Sequence, residues 1–532
     1  MTDHLEVRGG AYHDSVSLMQ VSRQVAGAAG VSAAQVAMAT ELNLEVIAGM
    51  GFAVPAGVQP NELVVAIRAE GADGVDAGLA ALESALAALR SAGSGAGGFG
   101  EAPPPRTLGR AVRAGGATLA LVSVPGQHAT VEAFDAIASG VSVMVFSDNV
   151  PVEDEVRLKE AAARQDVLVM GPDCGTAVVA GVALGFANVV DRGPVGIVAA
   201  SGTGAQQVMA LFDAAGVGVS HCLGVGGRDL SAAVGGRSTR QALAALAADD
   251  STESILVVSK PPAADVLADL QAYAAGLGKP VHWATLGTGR PDLTTAVGAF
   301  LVALGREVPA WPSWAAPTDR ATLKDRGGQD RHDPSDSRAE PGRWLRGLFC
   351  GGTLADEAML VAAGELGAIR SNIPLSPELA LGADLRADSH VVVDFGDDEL
   401  TRGRAHPMID PTLRLERIAA EASDPGCGVL LLDLVLGHGA HPDPAPELAD
   451  AVRAARAVAA DAGRDLPVVV SLTGTRGDPQ GLDTSGARLA AAGAVVHLSN
   501  AEATRHAVAL LRGERAVDGV EDLAAERQEG TR

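Results

Sequence analysis

The chain has 532 residues, 41 Lys and Arg against 65 Asp and Glu, and a formal charge of −24; 47% of residues are hydrophobic but only 3% aromatic. Such a charge argues against nonspecific binding to nucleic-acid backbones, which relies on clustered Lys and Arg. The length excludes a single core, because about 150 residues per domain gives roughly three or four domains, and an aliphatic interior poor in rings suits α/β layers.

Residues 1–90 are expected to form a small N-terminal α/β unit, with a turn in RGGAYHDS, a helix over Val16–Ala28 and a strand at Leu63–Glu70. Ser91–Pro105 is a linker by composition, first Gly-rich and then Pro-rich. From Ala117 strands and helices alternate: ATLALVSVPG, a helix near Thr130–Ser139, VSVMVFSD, a helix near Glu153–Gln165, and DVLVMGPD. Apolar strands alternating with helices predict a parallel sheet covered on both faces, here over residues 106–195. Ligands collect outside the carboxyl ends of such strands, where GQH, SDN and GPDC stand.

A second unit over residues 196–305 uses GIVAAS, VGVSHCLGVGG, SILVVSK and VHWATLG as strands. Residues 306–343, rich in Pro, Asp and Arg, read as a flexible linker. A third unit over 344–512 uses GLFCGG, HVVVDFG, GVLLLDLVLG, LPVVVSLTG and AVVHLS, and 513–532 is a charged tail. Cys174, Cys222, Cys350 and Cys427 form no CxxC pair, so neither a disulfide framework nor a metal site is expected. The opening MTDHLEVRGG lacks a basic n-region and an apolar h-region, and no run of about 18 strongly apolar residues occurs. A soluble, cytoplasmic protein without membrane partners is expected.

Two glycine-rich turns stand out, MGPDCGTAVV (Met170–Val179) and VAASGTGAQQV (Val198–Val208). In the second, Gly196–Ala200 reads as a buried strand, Ser201–Gly204 as a tight turn and Ala205–Ala214 as a helix. A helix so introduced points free N–H groups at an anion, Gly202 and Gly204 admit close approach, and Ser201 and Thr203 add hydroxyls. An ordinary βα connection uses the same residue types, so both readings stand. CGGTL in the third unit repeats the plan.

MGPDCGT, GIVAASGTG and GVGGRD, in that order, resemble the α-chain motifs of succinyl-CoA synthetase and the ADP-forming acyl-CoA synthetases. RGGAYHDSVSLM, VMVFSDNVPVEDEVRLK, GVGGRDLSAAVGG, VSKPP, CGGTLADEA, DFGDD and RAHPMIDPTLR resemble the FdrA family, from Arg8 past His438. The resemblance implies a Rossmann-like CoA-binding-type domain followed by two flavodoxin-like, ligase-type domains. In that domain it makes Gly171, Pro172, Asp173, Cys174, Gly175, Thr176 and Asn188 the cofactor-binding candidates. CoA, phosphate and carbamoyl phosphate are the candidate ligands.

The synthetases pass a phosphoryl group through a histidine in a GHAGA segment. The corresponding stretch here, WATLGTGRPDL (Trp283–Leu293), has none. His282 precedes it on the apolar side of a strand and reads as structural, while His438 in GHGAHPD is a candidate for an anion site without being phosphorylated. The ATP-grasp stretch of the synthetases is also not found. Some FdrA-family members are implicated as one subunit of oxamate carbamoyltransferase, which needs anion cradles but neither ATP nor a swinging histidine. On that resemblance the cradles are Ser201, Gly202, Thr203 and Gly204 with Gly351, Gly352 and Thr353. The expected partners are a small carboxylate substrate, other subunits of a hetero-oligomer and further copies of the chain.

Arg228 in GGRD reads either as a carboxylate-neutralising group or as part of a surface turn with Asp229. The polar segment after HVVVDFG brings Asp394, Asp397, Asp398, His406, Asp410 and Arg414 close in sequence. There His406, oriented by a nearby carboxylate, is a candidate acid/base or orienting donor, and Asp410 is a further catalytic candidate; the alternative is a self-bonded loop that caps the sheet or docks a partner. Cys174 reads as a packed thiol in preference to a reactive one.

Overall fold

The computed structural model describes residues 1–9, 13, 15–55, 57–93, 105–316, 342–401 and 405–513. Half of the RGGAYHDS turn, most of the Gly/Pro linker, most of the Pro/Asp/Arg-rich segment and the tail beyond 513 lie outside the described residues.

The N-terminal unit runs β1 (Thr2–Arg8), α1 (Ser15–Ala26), β2 (Val31–Met38), α2 (Glu41–Gly49), β3 (Leu63–Ala69) and α3 (Ala72–Gly93). Its antiparallel sheet has the order β1-β3-β2. Leu18, Val21 and Val25 recur at helical spacing on α1 and are buried with Val65, Ile67 and Leu82. The next unit contains α4 (Leu108–Gly115), β4 (Leu119–Val122), α5 (Gly126–Ala138), β5 (Ser142–Val145), α6 (Val152–Gln165) and β6 (Val169–Met170), with a parallel β4-β5-β6 sheet.

The third sheet departs from the expected division of the chain. β7 (Thr176–Val179) and β8 (Val182–Gly185) form a hairpin turned at Ala180 and Gly181, both with positive φ. Sequence reading places these residues with the preceding unit, yet Val178 pairs with Cys222 of the following one. Pro172, just beyond β6, has no N–H to continue the first ladder, and the chain crosses over. The rest of this sheet is β9 (Val195–Ala200), β10 (Val219–Gly224), β11 (Ser254–Ser259) and β12 (Val281–Thr285), all parallel and interleaved with α7 (Gly202–Ala214), α8 (Arg237–Ala248), α9 (Ala264–Ala274) and α10 (Leu293–Ala303). The order β10-β9-β11-β12 is doubly wound, with its crevice beside β9.

The last sheet has seven strands in the order β13-β19-β18-β17-β14-β16-β15. They are β13 (Ser313–Trp314), β14 (Trp344–Phe349), β15 (Ile369–Ser371), β16 (His390–Asp394), β17 (Cys427–Val435), β18 (Val468–Thr473) and β19 (Ala494–His497). The helices are α11 (Gly352–Leu366), α12 (Thr412–Ala422), α13 (Ala445–Asp461), α14 (Leu482–Ala491) and α15 (Asn500–Leu511). β13 corrects the linker expected from residue 306: Ser313 and Trp314 pair antiparallel with β19, and Trp311 and Trp314 pack on the main core. Composition registers the prolines there but not two large rings seeking burial.

One hydrophobic cluster joins the last two sheets, with Val208, Phe212 and Phe300 on one side and Leu434, Leu436 and Leu472 on the other. α7 lies between them, buried from Thr203 through Phe212. Its polar side chains find partners across the junction: Gln207 Nε2 donates to Leu498 O at 3.0 Å, and Gln207 Oε1 accepts the Thr473 hydroxyl at 3.0 Å. Glu357 accepts Leu293 N–H at 2.6 Å and Asn500 Nδ2 at 2.7 Å, and burial pushes its carboxyl up to about 7.

A fully buried ion network fastens α6 to the loop after β10. Lys159 Nζ lies 2.7 Å from both Glu155 Oε1 and Asp229 Oδ1, and Asp229 also accepts the Thr239 hydroxyl and the N–H groups of Ser238 and Thr239. Removing the cation takes the buried positive partner from two buried carboxylates. Lys159→Met is therefore expected to cost about 3–5 kcal/mol, measured as a lowered urea midpoint; an unchanged midpoint would refute the network's role.

Candidate functional site

The carboxyl ends of β9 and β14 deliver two helix N-termini to the same place. Ser201 is the N-cap of α7, its Oγ accepting Gly204 N–H at 2.9 Å, so the helix begins at Gly202 and the expected tight turn is its first turn. Gly351 is the N-cap of α11 and supplies no side-chain cap. The ends interlock reciprocally. Ser201 Oγ meets Thr353 Oγ1 at 2.6 Å, while a Cβ on Gly351 would lie 2.8 Å from Thr203 Cγ2. Each N-cap thus touches the second helical residue of the other helix, and a side chain at Gly351 would wedge the ends apart.

Two abutting helix N-termini concentrate positive potential, and acidic groups surround them. Asp433, in mid-strand β17, accepts Cys350 N–H at 2.8 Å and Gly351 N–H at 3.0 Å and pairs with the buried Arg414. The Gly351 amide expected in an anion cradle is therefore committed to Asp433. The open end of α11 is left to Gly352 and Thr353.

Lys260 follows β11 and stands beside that end. Its Nζ is 3.6 Å from Asp356 Oδ2, and a Cβ on Gly352 would lie 3.0 Å from Nζ and 2.6 Å from Asp394 Oδ2. Burial lowers the Lys260 pKa, but Asp356, Asp394 and Asp173 raise it and prevail, so the ammonium stays charged. Asp394, 4% exposed at the end of β16, is pushed up to about 7 by burial against the pull of Lys260 and the Gly396 N–H. Asp173, after β6, keeps an exposed side chain among neighbouring charges. Desolvation and then Asp398 push it up to about 7, with Lys260 opposing and Asp148 and Arg228 adding smaller effects. Residues from the ends of β5, β6, β10, β11 and β16 thus share one electrostatic environment.

His406 joins it from the third unit. A Cβ on Gly396 would lie 2.8 Å from His406 Nε2 and 3.2 Å from Asp394 Oδ1, and the His406 ring packs 5.5 Å from Phe186, itself 5.5 Å from Phe146. Nδ1 accepts the Met408 N–H at 3.2 Å, which leaves the neutral ring's proton on Nε2. Burial, and then Arg414, push His406 down to about 4. The imidazole is therefore neutral at physiological pH, suited to donate from Nε2 and poor as a base.

The other expected residues divide. Arg228 is half-exposed and pinned by Glu155 Oε2 at 3.1 Å and Val150 O at 2.8 Å, close enough to Asp173 and Asp398 to act on both. Asp410 does not orient His406; its carboxylate accepts the Thr412 N–H at 3.0 Å and the Thr412 hydroxyl at the start of α12. His438 is exposed, in a loop whose backbone bonds Ala187. Among the cofactor candidates, Asn188 is a staple between units, fully buried and donating to Leu436 O at 3.1 Å and Asp478 Oδ2 at 2.7 Å. Cys174 donates to Gly224 O at 3.3 Å and burial pushes its thiol up to about 12, the state of a packed cysteine. Gly171 and Pro172 are buried, and Gly171 has room for no Cβ beside Val145 O. Gly175 O accepts Phe186 N–H, and Thr176 donates to Phe186 O at 2.7 Å while lying 3.3 Å from where a Gly202 Cβ would sit. That threonine joins the two glycine turns. His282 packs edge-on against Phe300 at 4.8 Å, as a structural residue would.

Sequence reasoning did not single out Lys260 or Asp433. The signals were a lysine directly after the fully buried strand SILVVS and a carboxylate inside GVLLLDLVL. Carboxyls raised to about 7 have a thermodynamic consequence. Between the usual 3.8 and about 7, folded Asp394 holds a proton that the unfolded chain has released, so stability falls as pH rises through that window. Asp394→Asn removes its share, and urea unfolding should show a decline from pH 4 to 8 shallower by on the order of 2–4 kcal/mol.

Two family models match parts of the chain. Residues 1–103 match the model of the AllF heavy metal-associated domain, and residues 348–510 match the CoA-ligase model. The first 103 residues contain no cysteine and only His4 and His13 as histidines, so they supply no thiolate metal ligands. Among the described residues no three His, Cys, Asp or Glu side chains are grouped to hold a metal ion, and no helix is long and apolar enough to cross a membrane. The α subunit of ADP-forming succinate–CoA ligase from Methanothermobacter thermautotrophicus is 32% identical over 110 residues, 20% of this chain and 38% of that subunit. The dinucleotide-forming acetyl-coenzyme A synthetase 1 of Ca. Korarchaeum cryptofilum, solved with phosphate and ADP, aligns over 79% of this chain and 88% of its own with 16% identity and a TM-score of 0.29. YahF of Escherichia coli (strain K12) is 37% identical over 506 residues, 94% of this chain and 97% of its own length. The chain belongs to the family of YahF, on a succinyl-CoA synthetase-like scaffold.

Proposed function

We propose that this chain is the FdrA-type subunit of a phosphate-dependent carbamoyl- or acyl-transfer enzyme, most specifically oxamate carbamoyltransferase, active together with partner chains. The observation that carries the reading is the pair of abutting helix N-termini with the Lys260 ammonium beside the uncapped end of α11. Phosphate binds there, to Gly352 and Thr353 of α11 and the Gly202–Thr203 end of α7. The stretch from Trp283 to Leu293, which has no histidine, favours direct attack by phosphate over a phosphohistidine relay.

In the reaction, a phosphate oxygen adds to the carbamoyl carbon of N-carbamoyl-oxamate. The bond from that carbon to the oxamate nitrogen then breaks. The proton of hydrogen phosphate passes to the departing nitrogen, giving oxamate and carbamoyl phosphate. Asp394, near 7, is matched to carry that proton, and His406 Nε2–H is a neutral donor for the carbonyl oxygen. Asp148 and Asp398 both act electrostatically on Asp173, and such carboxylates suit the N–H groups of a ureide, donors that a thioester lacks.

The test incubates the purified chain, alone and with the products of neighbouring genes, with carbamoyl phosphate and oxamate, or with acyl-CoA, ADP and phosphate. Phosphate release that requires oxamate is expected, and Lys260→Met should lower its kcat by about 10²–10³-fold. ATP formation from acyl-CoA would replace this reading with an ADP-forming acyl-CoA synthetase whose ATP-grasp function lies on a partner. CoA binding without turnover in any combination would make the chain a non-catalytic acyl-CoA-binding scaffold.

A further inference from the structure

The turn that carries His406 is held from outside by the N-terminal unit. Within the turn, His406 O accepts the N–H groups of Ile409 at 2.7 Å and Asp410 at 3.0 Å, and the Met408 N–H fixes His406 Nδ1. The direction of the imidazole is therefore set by the turn's backbone. Pro407, Met408, Pro411, Arg414, His441 and Leu448 line a small cavity beside it. The outer side has two ties. His441 N–H donates to Met408 O at 2.7 Å. Arg23, on α1, donates through Nη1 to Ile409 O and through Nη2 to both carboxylate oxygens of Glu447, at 2.7 and 2.8 Å.

Glu447 lies in the first turn of α13, so one guanidinium bridges the His406 turn and the helix beside it. The elements of the N-terminal unit otherwise pack chiefly on one another. A planar guanidinium that bonds a carboxylate through one nitrogen and a carbonyl through another holds both in fixed relation. We infer that Arg23 is a positioning residue: the N-terminal unit is a clamp whose docking on Glu447 and Ile409 holds the His406 turn in place. The three sheets whose edges meet at the site are thus completed by a residue of the fourth. The inference rests on the proposed role of His406, yet the order of the turn can be measured without any activity.

Hydrogen exchange read by mass spectrometry on the full chain tests it, comparing the natural sequence with Arg23→Ala, Arg23→Lys and Glu447→Gln. Exchange in the peptide spanning 405–411 should rise about tenfold or more in Arg23→Ala and Glu447→Gln and less in Arg23→Lys, with β14, β16 and the N-terminal sheet still protected. In the carbamoyl-transfer assay Arg23→Ala should lower kcat and leave the KM for phosphate unchanged. Unaltered exchange at 405–411 in Glu447→Gln overturns the clamp, and this variant decides the matter even where Arg23→Ala unfolds the N-terminal sheet. The expected exchange pattern in a chain that transfers no carbamoyl group would uphold the clamp and remove only the proposed reaction.

Discussion

The structure is organised around the contact between two helix N-termini. Ser201 and Thr353 share a hydroxyl–hydroxyl bond at 2.6 Å, Gly351 packs on Thr203, and Gly204 on Thr353. Bringing two positive dipole ends together in a low-dielectric interior is unfavourable unless negative charge is nearby. Asp433, paired with the buried Arg414, meets them from within β17 and accepts the amides that lead into α11. The rest of the architecture serves this contact: α7 is buried from Thr203 to Phe212 because the sheets on either side share one core around it.

That arrangement determines the chemistry of the cleft. Lys260 stands by the uncapped helix and is kept charged by Asp356, Asp394 and Asp173, while two of those carboxyls, Asp173 and Asp394, are raised to about 7. The Lys260 ammonium thus stands between buried carboxyls, of which Asp394 is held protonated over a wider pH range than a free aspartate. His406, neutral and oriented through Nδ1, adds a donor. The Lys159 network serves the same end from behind, because Glu155 holds both Lys159 and Arg228.

The succession of strands and helices from Ala117 onward was legible because each strand is a short apolar run bounded by turn residues. β2 was not, since VSAAQVAM has too little β-branched character to read as a strand alone and is held by pairing with β3. The β7–β8 hairpin was missed because its two strands are short and its membership depends on β10, some forty residues away. In the site, the glycine turns and His406 were visible as motifs. The partners of Asn188 and Asp410, Asp478 and the Thr412 cap, were not legible because they depend on folding. Lys260 and Asp433 went unnoticed because a single charge at or in an apolar strand has no pattern.

Local chemistry sufficed for what the sequence by itself determined: four α/β units, glycine turns at strand ends, and Ser201, Thr203, Thr353 and His406 as candidates just beyond apolar strands. Periodicity and turn propensity act over a few residues and are written directly in the chain. Only the tertiary structure decided that two of these turns face each other, that Asp433 occupies one set of amides, that Lys260 and Asp394 flank Gly352, and that Arg23 reaches the His406 turn. Charge and burial are properties of the assembled neighbourhood, and a carboxyl raised from 3.8 to about 7 is a fact about what surrounds it.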